Sequence, residues 1–366
     1  MTKQELGGKA RNRPTLEIAG PSRRLFLTGV AATICAPAVI SSRRAEAAES
    51  LVFVGWGGTQ QKGYDEQCLQ PLAKELGITI INAYGPDLAK LKAQVTTGKV
   101  EWDIMSLTGA MAVGAQREKL LEPIDYSIVA NASDLTLPKH EACLPWYLYW
   151  GGIGYDPKRH APGKFPTTWQ EFWDVRRFPG RRGLRNRADE ILEVALLADG
   201  VKPKELYPLD VDRAFKSLDR IKPHVTNWIA QTPQTVTLIQ SNEIDFNYVY
   251  KGRVLAAQEQ KISIEIADEY PLVSTTYVAV AKGTRNKKAA MQVLNGLLRP
   301  DMQAAFVNAL PGNGVVTRGA ASKLSPAVLK VLPDPLSPKV AVNNDDWWAD
   351  NYQKVALRFK EWLLMG

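Results

Sequence analysis

Residues 51–61 read LVFVGWGGTQQ, an apolar run that ends in a tryptophan set among three glycines. The run Leu51–Trp56 has the length and the β-branched content of a buried strand. Apolar residues then recur at helical spacing until Gly77, a residue type that commonly ends helices, and Ile78–Ala83 is a second strand-like run. A strand, a helix and a second strand in this order form a β-α-β unit, so the sequence predicts a parallel sheet covered by helices.

The same alternation continues along the chain and predicts an α/β fold. A helix at Leu88–Thr97 precedes a strand at Trp102–Met105, and an aromatic strand with two internal glycines follows at Tyr147–Tyr155. Residues 156–183, rich in arginine, proline and glycine, are expected at the surface, with a helix beginning at Trp169. Further strands are predicted at Ile244–Tyr250 and Thr275–Ala281, and further helices at Ala188–Leu197, Val211–Ile221, Thr235–Gln240, Lys287–Leu298, Met302–Leu310 and Asp346–Met365.

The N-terminus has the features of an export signal. Residues 22–27 read SRRLFL, which matches a twin-arginine motif, an apolar stretch follows at residues 25–40, and residues 45–47 (AEA) offer a small-x-small cleavage site. We therefore expect residues 1–47 to be a cleaved signal peptide and the mature protein to reach the periplasm by the twin-arginine route. An uncleaved membrane anchor is the alternative, although the apolar stretch is short for a membrane span.

The formal net charge of +8 is concentrated in this N-terminal segment. Residues 1–47 contain eight Lys or Arg and three Glu, a net charge of +5, which leaves +3 for the rest of the chain. So small an excess lacks the charge signature of a nucleic-acid-binding protein. Two cysteines, Cys68 and Cys143, lie beyond the signal segment, and both a disulfide and a pair of buried thiols remain open.

Motifs for catalysis, metal binding or cofactor binding are absent from the sequence. The three histidines, His140, His160 and His224, form neither H-E-x-x-H nor a Cys/His cluster. The glycine loop lacks the third glycine of a dinucleotide fingerprint, and Trp56 would block a pyrophosphate. We therefore predict a protein that is not an enzyme and carries no metal or cofactor. An exported, cofactor-bearing oxidoreductase is the alternative of another class, and only the twin-arginine motif supports it.

Aromatic residues are plentiful, with ten Trp and twelve Tyr. In open α/β sheets ligands bind beyond the carboxyl ends of the strands, where aromatic side chains can stack on a flat ligand or surround a cation. For each of these residues core packing is the alternative. Backbone N–H groups at Gly57, Gly58 and Thr59 could also hold a polar ligand group. The aromatics at strand ends or beside glycine are Trp56, Trp146, Tyr147, Trp150, Tyr250, Trp347 and Trp348.

Together these segments resemble the spermidine/putrescine-binding family of periplasmic solute-binding proteins, the receptors of ABC importers. The similarity covers about residues 50–365 and begins with the first strand and its terminal Trp56. The other motifs that carry it are WDIM (102–105), GGIGYDP (151–157), PTTW (166–169) and TTYVAVAKGTRNKKAAMQVLNGLLRPDMQ (275–303).

The resemblance implies a type II periplasmic binding protein fold, in which two α/β lobes close over a ligand at a hinge. It implies lobe 1 at residues 48–153 plus 276–335, and lobe 2 at residues 154–275 plus 336–366. Crossing strands are expected near Gly151–Tyr155 and Ser274–Val280. The partners implied are a small-molecule ligand and an ABC permease in the inner membrane, and the protein is expected to be a monomer.

Several site positions follow from the resemblance. Trp56 matches an aromatic wall, Tyr250 stands where a tryptophan wall is usual, and Glu190 occupies one of the family's acidic positions. A second acidic position carries Arg187, and Thr276 stands where another carboxylate is expected. The full set of expected ligand-binding residues is Trp56, Gly57, Gly58, Thr59, Thr108, Arg187, Glu190, Tyr250, Arg253, Ser274, Thr276 and Trp348.

These departures from the family pattern change the expected charge of the ligand. Two carboxylates typical of polyamine recognition are missing, and Arg185, Arg187, Lys251 and Arg253 lie close by in the sequence. Arginines in a desolvated cleft repel a polycation and attract a carboxylate or phosphonate, so we expect a small organic anion or zwitterion held by Arg187 or Arg253. The alternatives are a polyamine held by Glu190 and the aromatics, or arginines that lie on a solvated surface.

Overall fold

A mixed β-sheet of ten strands runs through residues 49–365, the part of the chain that the computed structural model describes. The predicted signal segment, residues 1–47, lies outside the described residues. The strands follow the order β2-β1-β3-β8-β4-β7-β5-β6, with β9 beside β4 and β10 beside β8. Their bounds are β1 Ser50–Gly55, β2 Thr79–Tyr84, β3 Ile104–Thr108, β4 Cys143–Tyr155, β5 Arg182–Arg185, β6 Val225–Ile229, β7 Phe246–Tyr250, β8 Glu265–Val280, β9 Asn313–Val315 and β10 Ala341–Val342.

Helices connect the strands and cover the sheet, which confirms the predicted α/β class. Strand β1 pairs in parallel with both β2 and β3, as the opening β-α-β pattern predicts. The helices are α1 Gly58–Tyr64, α2 Gln70–Leu76, α3 Leu88–Thr97, α4 Gly109–Arg117, α5 Trp169–Trp173, α6 Ile191–Ala198, α7 Val211–Ile221, α8 Gln234–Gln240, α9 Lys251–Glu259, α10 Lys287–Leu297, α11 Pro300–Ala309, α12 Arg318–Ala321, α13 Pro326–Val331 and α14 Asp345–Leu364; a π-helical turn, Asp65–Leu69, joins α1 to α2.

The two longest strands, β4 and β8, connect the two halves of the sheet. They pair with each other in an antiparallel ladder from Cys143 opposite Ala279 to Tyr155 opposite Glu265. At one end β8 also pairs with β3, and at the other β4 also pairs with β7. A side chain at Gly152 would meet the Ala267 carbonyl, since an added Cβ would lie 2.6 Å from that oxygen. Glycine therefore permits the close approach of the strands that the sequence indicated.

Each half of the sheet has its own hydrophobic core. The first core packs β1, β4 and β8 against α2, α10 and α11, with Phe53, Leu144 and Phe306 buried in it. The second packs β7 against α6, α7 and α14. Two cores joined by two continuous strands agree with a two-lobe fold. Residues of β4 and β8 belong to both cores, so the packing does not define where one lobe ends and the other begins. The lobe boundaries given above therefore stay a prediction.

Two expectations about local structure are wrong. Residues 156–183 are not all at the surface: Arg182 is completely buried at the start of β5, a strand that the sequence did not predict because it contains two arginines in four residues. The helix expected from Ala188 begins only at Ile191, because Glu190 has a positive φ of 73° and interrupts the helical backbone.

The remaining expectations on the described residues concern cysteines and membrane spans. Cys68 and Cys143 are both free and buried, so the alternative of two buried thiols is confirmed. Burial raises the pKa of the Cys68 thiol to about 12, so it stays protonated and unreactive. Among residues 49–365, no helix is long and apolar enough to cross a membrane.

Candidate functional site

A pocket of about 440 Å³, including its open mouth, lies where β1, β3 and β7 end. The loops that follow these strands and the two crossing strands supply its walls, the usual place for a ligand in an open α/β sheet. The residues that line it are Trp56, Gln60, Thr108, Tyr147, Tyr149, Arg187, Thr232, Tyr250, Gly252, Arg253, Thr276, Gly312 and Asn313.

The loop after β1 turns sharply at two glycines and presents Trp56 to the pocket. Gly57 and Gly58 have φ values of 67° and 65°, and two consecutive residues with left-handed φ strongly favour glycine. The N–H of Gly57 donates to Oε1 of Gln61 at 2.8 Å, so it is not free for a ligand. Gly57, Gly58 and Thr59 do not line the pocket. At Gly58, an added Cβ would lie 2.8 Å from Nη1 of Arg253, so the glycine makes room for this guanidinium.

Arg253, near the start of α9, is a buried cation that faces the pocket. The residue is 6% exposed. Its Nη2 donates to the carbonyl oxygens of Gly57 at 3.1 Å and Trp56 at 3.3 Å. Among the described residues, no carboxylate forms an ion pair with it. Burial lowers the pKa of Arg253 to about 10, which still leaves it charged at neutral pH. A buried guanidinium without a counter-ion has a strong preference for an anionic partner.

Arg185, at the end of β5, is a second buried guanidinium without a carboxylate. It donates from Nη1 to the Ile229 carbonyl oxygen at 2.9 Å and from Nη2 to Thr232 Oγ1 at 3.0 Å. Its Nε has no hydrogen-bond partner in the described structure, and its guanidinium lies 6.0 Å from the Tyr250 ring centroid. Arg185 lines a groove beside the pocket rather than the pocket itself.

Arg187, by contrast, is neutralised by its neighbours. It forms a close ion pair with Glu190 and donates from Nη2 to the Tyr250 hydroxyl at 2.9 Å, while that hydroxyl donates to Glu190 Oε2 at 2.9 Å. Burial opposes the charge, but Glu190 raises the pKa of Arg187 well above its ordinary value. The guanidinium also lies over the Trp56 ring, 5.5 Å from its centroid. Arg187 and Glu190 therefore neutralise each other's charge before any ligand arrives, although Arg187 Nε and Glu190 Oε1 have no hydrogen-bond partner among the described residues.

Neutral polar groups also line the pocket. Gln60 Nε2 donates to Asn313 Oδ1 at 2.8 Å. Gly312, with a φ of 92°, approaches Gly252 so closely that an added Cβ would lie 2.5 Å from the Gly252 nitrogen. This contact brings the start of α9 against the loop before β9.

The structure brings six of the twelve expected residues together at the pocket: Trp56, Thr108, Arg187, Tyr250, Arg253 and Thr276. Glu190 lies behind the wall that Arg187 and Tyr250 form. Ser274 lies elsewhere, where it accepts a hydrogen bond from Asn343 Nδ2 at 2.8 Å.

Trp348 lies in the second core, not at the pocket. It is completely buried, and its Nε1 donates to Glu193 Oε1 at 2.8 Å. Trp146 and Trp150 are likewise core residues, which is the alternative that the sequence left open for each aromatic. Trp348 is part of the amphipathic helix α14. It packs against α6, and its indole N–H donates its hydrogen bond to Glu193 there, not to a ligand.

Seven pocket residues were not among those expected. Tyr147 was noted as an aromatic beside glycine, and Tyr149 follows it at the spacing that places both on one face of β4. Gln60 lies one turn into the helix after Trp56, so its proximity could have been inferred. No local signal marks the others. The unexpected residues are Gln60, Tyr147, Tyr149, Thr232, Gly252, Gly312 and Asn313.

The chemistry of the pocket is that of binding. It combines aromatic walls, hydroxyl and amide groups, and one uncompensated guanidinium, a mixture suited to orienting a small polar solute. Within residues 49–365, no three His, Cys, Asp or Glu side chains are grouped so that they could hold a metal ion.

Comparisons with known proteins agree with this geometry. A family model described as bacterial extracellular solute-binding protein matches residues 67–328. The chain is 32% identical to a gamma-aminobutyric acid-binding protein of Pseudomonas aeruginosa, over 86% of this chain and 91% of the relative. It is 23% identical to the spermidine/putrescine-binding periplasmic protein of Escherichia coli K12, over 85% and 90% of the two chains.

A solved structure is similar over almost its entire length. It is a periplasmic binding protein from Agrobacterium tumefaciens R10 in complex with agropinic acid, with 31% identity, a TM-score of 0.80, and coverage of 87% of this chain and 99% of that chain. These matches confirm the two-lobe binding-protein fold and a binding function in place of an enzymatic one. The chain therefore belongs to the bacterial extracellular solute-binding protein family, whose members work in the periplasm as the solute-binding components of ABC transporters.

Proposed function

We propose that this protein captures a small organic solute that carries a carboxylate, and that Arg253 is the receptor for that carboxylate. One observation carries the proposal: Arg253 is a 6% exposed cation that faces the pocket without a carboxylate partner. A carboxylate from the solute would supply charge-assisted hydrogen bonds in a nearly dry site, where such bonds are strongest. Two of its donor contacts already go to main-chain carbonyls, which fix the orientation of the guanidinium.

A zwitterion fits the pocket better than a simple anion. The relative of 32% identity is named for gamma-aminobutyric acid (4-aminobutanoate), which has one carboxylate and one ammonium group. The aromatic rings of Trp56, Tyr147, Tyr149 and Tyr250 line the same pocket, and their faces favour an alkyl chain or a cation. We therefore infer that the solute has the chemistry of an amino acid or an amino-acid conjugate.

A polyamine is the second candidate, because the relative of 23% identity is named for spermidine and putrescine. Its recognition would need free carboxylates at the pocket. Glu190 is held by Arg187 and Tyr250, and the position of a second carboxylate is occupied by Thr276. These contacts favour the carboxylate-bearing solute.

We further infer that binding stabilises a closed form with the lobe boundaries given above. Arg253 in α9 donates to the loop after β1, and Gly252 meets Gly312, so these contacts join parts of the chain assigned to opposite lobes. A solute held by the same Arg253 would favour the conformation in which these contacts form. Small-angle scattering should then show a smaller radius of gyration with the solute than without it.

Export by the twin-arginine route and a monomeric state are also proposals. The motif at residues 22–27 supports the first. Replacing Arg23 and Arg24 together by lysine should prevent the protein from reaching the periplasm. For the monomeric state, size-exclusion chromatography with light scattering should give the mass of one chain.

A thermal-shift screen tests the ligand class, since a ligand that binds only the folded protein raises its melting temperature. The probes are 4-aminobutanoate, α-amino acids, simple alkyl carboxylates, spermidine and putrescine. We expect stabilisation by one or more carboxylates and none by the polyamines. Stabilisation by spermidine or putrescine alone would overturn the proposal.

A further inference from the structure

A second and larger cavity adjoins the pocket. It is a groove of about 1170 Å³, including open space, and it shares Trp56, Arg187 and Thr232 with the pocket. Asp189 and Tyr352 line the groove but not the pocket. A solute bound at Arg253 therefore has room to extend past Trp56 into the groove.

Asp189 is a buried carboxylate without a donor of its own. The residue is 2% exposed, and its Oδ2 has no hydrogen-bond partner among the described residues. Its one ion-pair contact is Arg187 Nε at 3.8 Å, which is too long for a hydrogen bond. The adjacent Glu190 differs in that its Oε2 accepts from the Tyr250 hydroxyl and forms a close ion pair with Arg187, while its Oε1 has no hydrogen-bond partner among the described residues. A buried carboxylate that lacks donors is costly, unless a partner supplies them.

The ion-pair cluster of Arg187, Asp189 and Glu190 contains two carboxylates and one cation. Arg187 is a single cation, and its ion pairs are shared by Asp189 and Glu190. Arg253, which faces the pocket, and Arg185, which lines the same groove as Asp189, are positive and form no ion pair with a carboxylate among the described residues. The cleft thus has a positive group at one place and a negative group at another, which is the pattern that complements an elongated zwitterion.

Aromatic surfaces accompany the unpartnered carboxylate. Trp56 and Tyr352 line the same groove as Asp189. Burial, and then the charge of Asp189, raise the pKa of the Tyr352 hydroxyl, which places that hydroxyl in the field of the carboxylate. A carboxylate beside aromatic faces is a recurrent arrangement for ammonium and guanidinium groups.

We propose that Asp189 forms a cation subsite in this groove, so that the solute binds with its carboxylate at Arg253 and an ammonium or guanidinium group at Asp189. This inference rests on the proposed function and specifies it: the solute class is an elongated ω-amino or ω-guanidino carboxylate, or a conjugate of similar reach.

Matched pairs of probes test the subsite in the wild-type protein. Isothermal titration compares 4-aminobutanoate with butanoate, 6-aminohexanoate with hexanoate, and 4-guanidinobutanoate with butanoate. Because a hydrogen bond to a charged group is involved, we expect at least one cationic probe to bind roughly tenfold to a hundredfold more tightly than its alkyl counterpart.

The Asp189→Asn variant assigns that advantage to one residue. It should abolish the preference for the cationic probe and leave the affinity for the alkyl carboxylate within about twofold. The melting temperature without a solute should not fall, because the variant removes a buried charge that lacks hydrogen bonds. Asp301→Asn, which removes an equal charge at an exposed position on α11, is the matched control for binding and should leave the affinities for all the probes unchanged.

The outcomes separate the two proposals. If alkyl carboxylates bind in a manner that depends on Arg253 but no cationic probe has an advantage, the subsite is overturned and the proposed function stands. The subsite is also overturned if Asp189→Asn keeps the full preference, or if the variant only lowers the melting temperature, as a purely structural pair with Arg187 would predict. If no carboxylate binds at all, both proposals fail.

Discussion

Two buried arginines, Arg182 and Arg253, show how the same side chain can serve the fold or a ligand. Arg182 is completely buried, and its guanidinium donates to the carbonyl oxygens of Phe172, Phe178 and Gly180. It also lies between two rings, with its guanidinium 5.7 Å from the Phe172 centroid and 5.6 Å from that of Phe246.

Arg253 is also buried, with 6% of the residue exposed, but the protein supplies fewer acceptors for it. It has two carbonyl acceptors, both on one nitrogen, and the rest of its guanidinium faces the pocket. Burial lowers the pKa of each arginine to about 10, so the two are alike in this respect. The difference is whether the protein itself provides the acceptors, and that difference separates a structural cation from a binding one.

The largest effect on stability is expected at Arg182. Replacement by Met should lower the free energy of unfolding by about 3 kcal/mol or more, since three buried carbonyl groups lose their donor. The affinity of the folded protein for its solute should not change. Urea unfolding and isothermal titration measure the two quantities, and a stable variant with weakened binding would break the comparison.

At Arg253 the opposite result is expected. Arg253→Gln should weaken carboxylate binding by about 3 kcal/mol, more than a hundredfold, because it removes the charge that faces the pocket. The free energy of unfolding should fall by less than it does at Arg182, because the loss of two hydrogen bonds is offset by the removal of a buried charge without a counter-ion. Arg253→Lys should be intermediate in affinity, because an ammonium group cannot form a bidentate contact. Unchanged affinity in the glutamine variant would contradict the assignment.

A buried acid, Glu193, extends the comparison to carboxylates. It is completely buried, and its Oε1 accepts from Tyr207 at 2.5 Å and Trp348 at 2.8 Å. Burial raises its pKa from the ordinary 4.5 to about 7. Because the folded state favours the protonated form of Glu193, this residue contributes to stability fully below about pH 4.5, and that contribution is lost as the pH rises to about 7.

Glu193→Gln should therefore remove that pH dependence, because glutamine does not titrate. Relative to the wild type, the variant should gain about 2 kcal/mol of unfolding free energy between pH 5 and pH 8. Urea titrations at the two pH values test this. An equal difference between the two proteins at both pH values would mean that Glu193 is ionised throughout.

The smallest effect is expected at Tyr250. Tyr250→Phe removes the hydroxyl that joins Arg187 to Glu190 but leaves their ion pair and the aromatic wall. We expect a loss of affinity of less than about tenfold, corresponding to one hydrogen bond. A larger loss would indicate that the Tyr250 hydroxyl contacts the solute directly.

The sequence predicted the fold well because hydrophobic periodicity and glycine positions are local signals. The β-α-β unit at residues 51–83 and strands at Tyr147–Tyr155 and Thr275–Ala281 could be predicted from such patterns, whereas the expectation that strands cross between the lobes came from the family resemblance. Strand β5 could not be predicted, because two arginines in four residues are not typical of a buried strand, and no sequence motif shows that carbonyl oxygens of the fold accept from their guanidinium groups. Likewise, the helix expected at Ala188 began late since a positive φ at Glu190 is not visible in the residue type.

Six of the twelve residues expected from the sequence line the pocket. Trp56, Tyr250 and the cleft arginines were predicted from their positions at strand ends and from the family resemblance. The sequence could not predict that a carboxylate neutralises Arg187 but not Arg253. That distinction depends on which carboxylates and carbonyls the fold brings near each guanidinium. Gly312 and Asn313 contribute through a loop whose position is set by tertiary contacts alone.

A crystal structure with the carboxylate that most raises the melting temperature tests the central claim most directly. The account predicts a closed cleft with a carboxylate oxygen about 2.7–2.9 Å from the Arg253 guanidinium. A solute whose carboxylate points to solvent, or whose cationic group lies against Arg253, would contradict it.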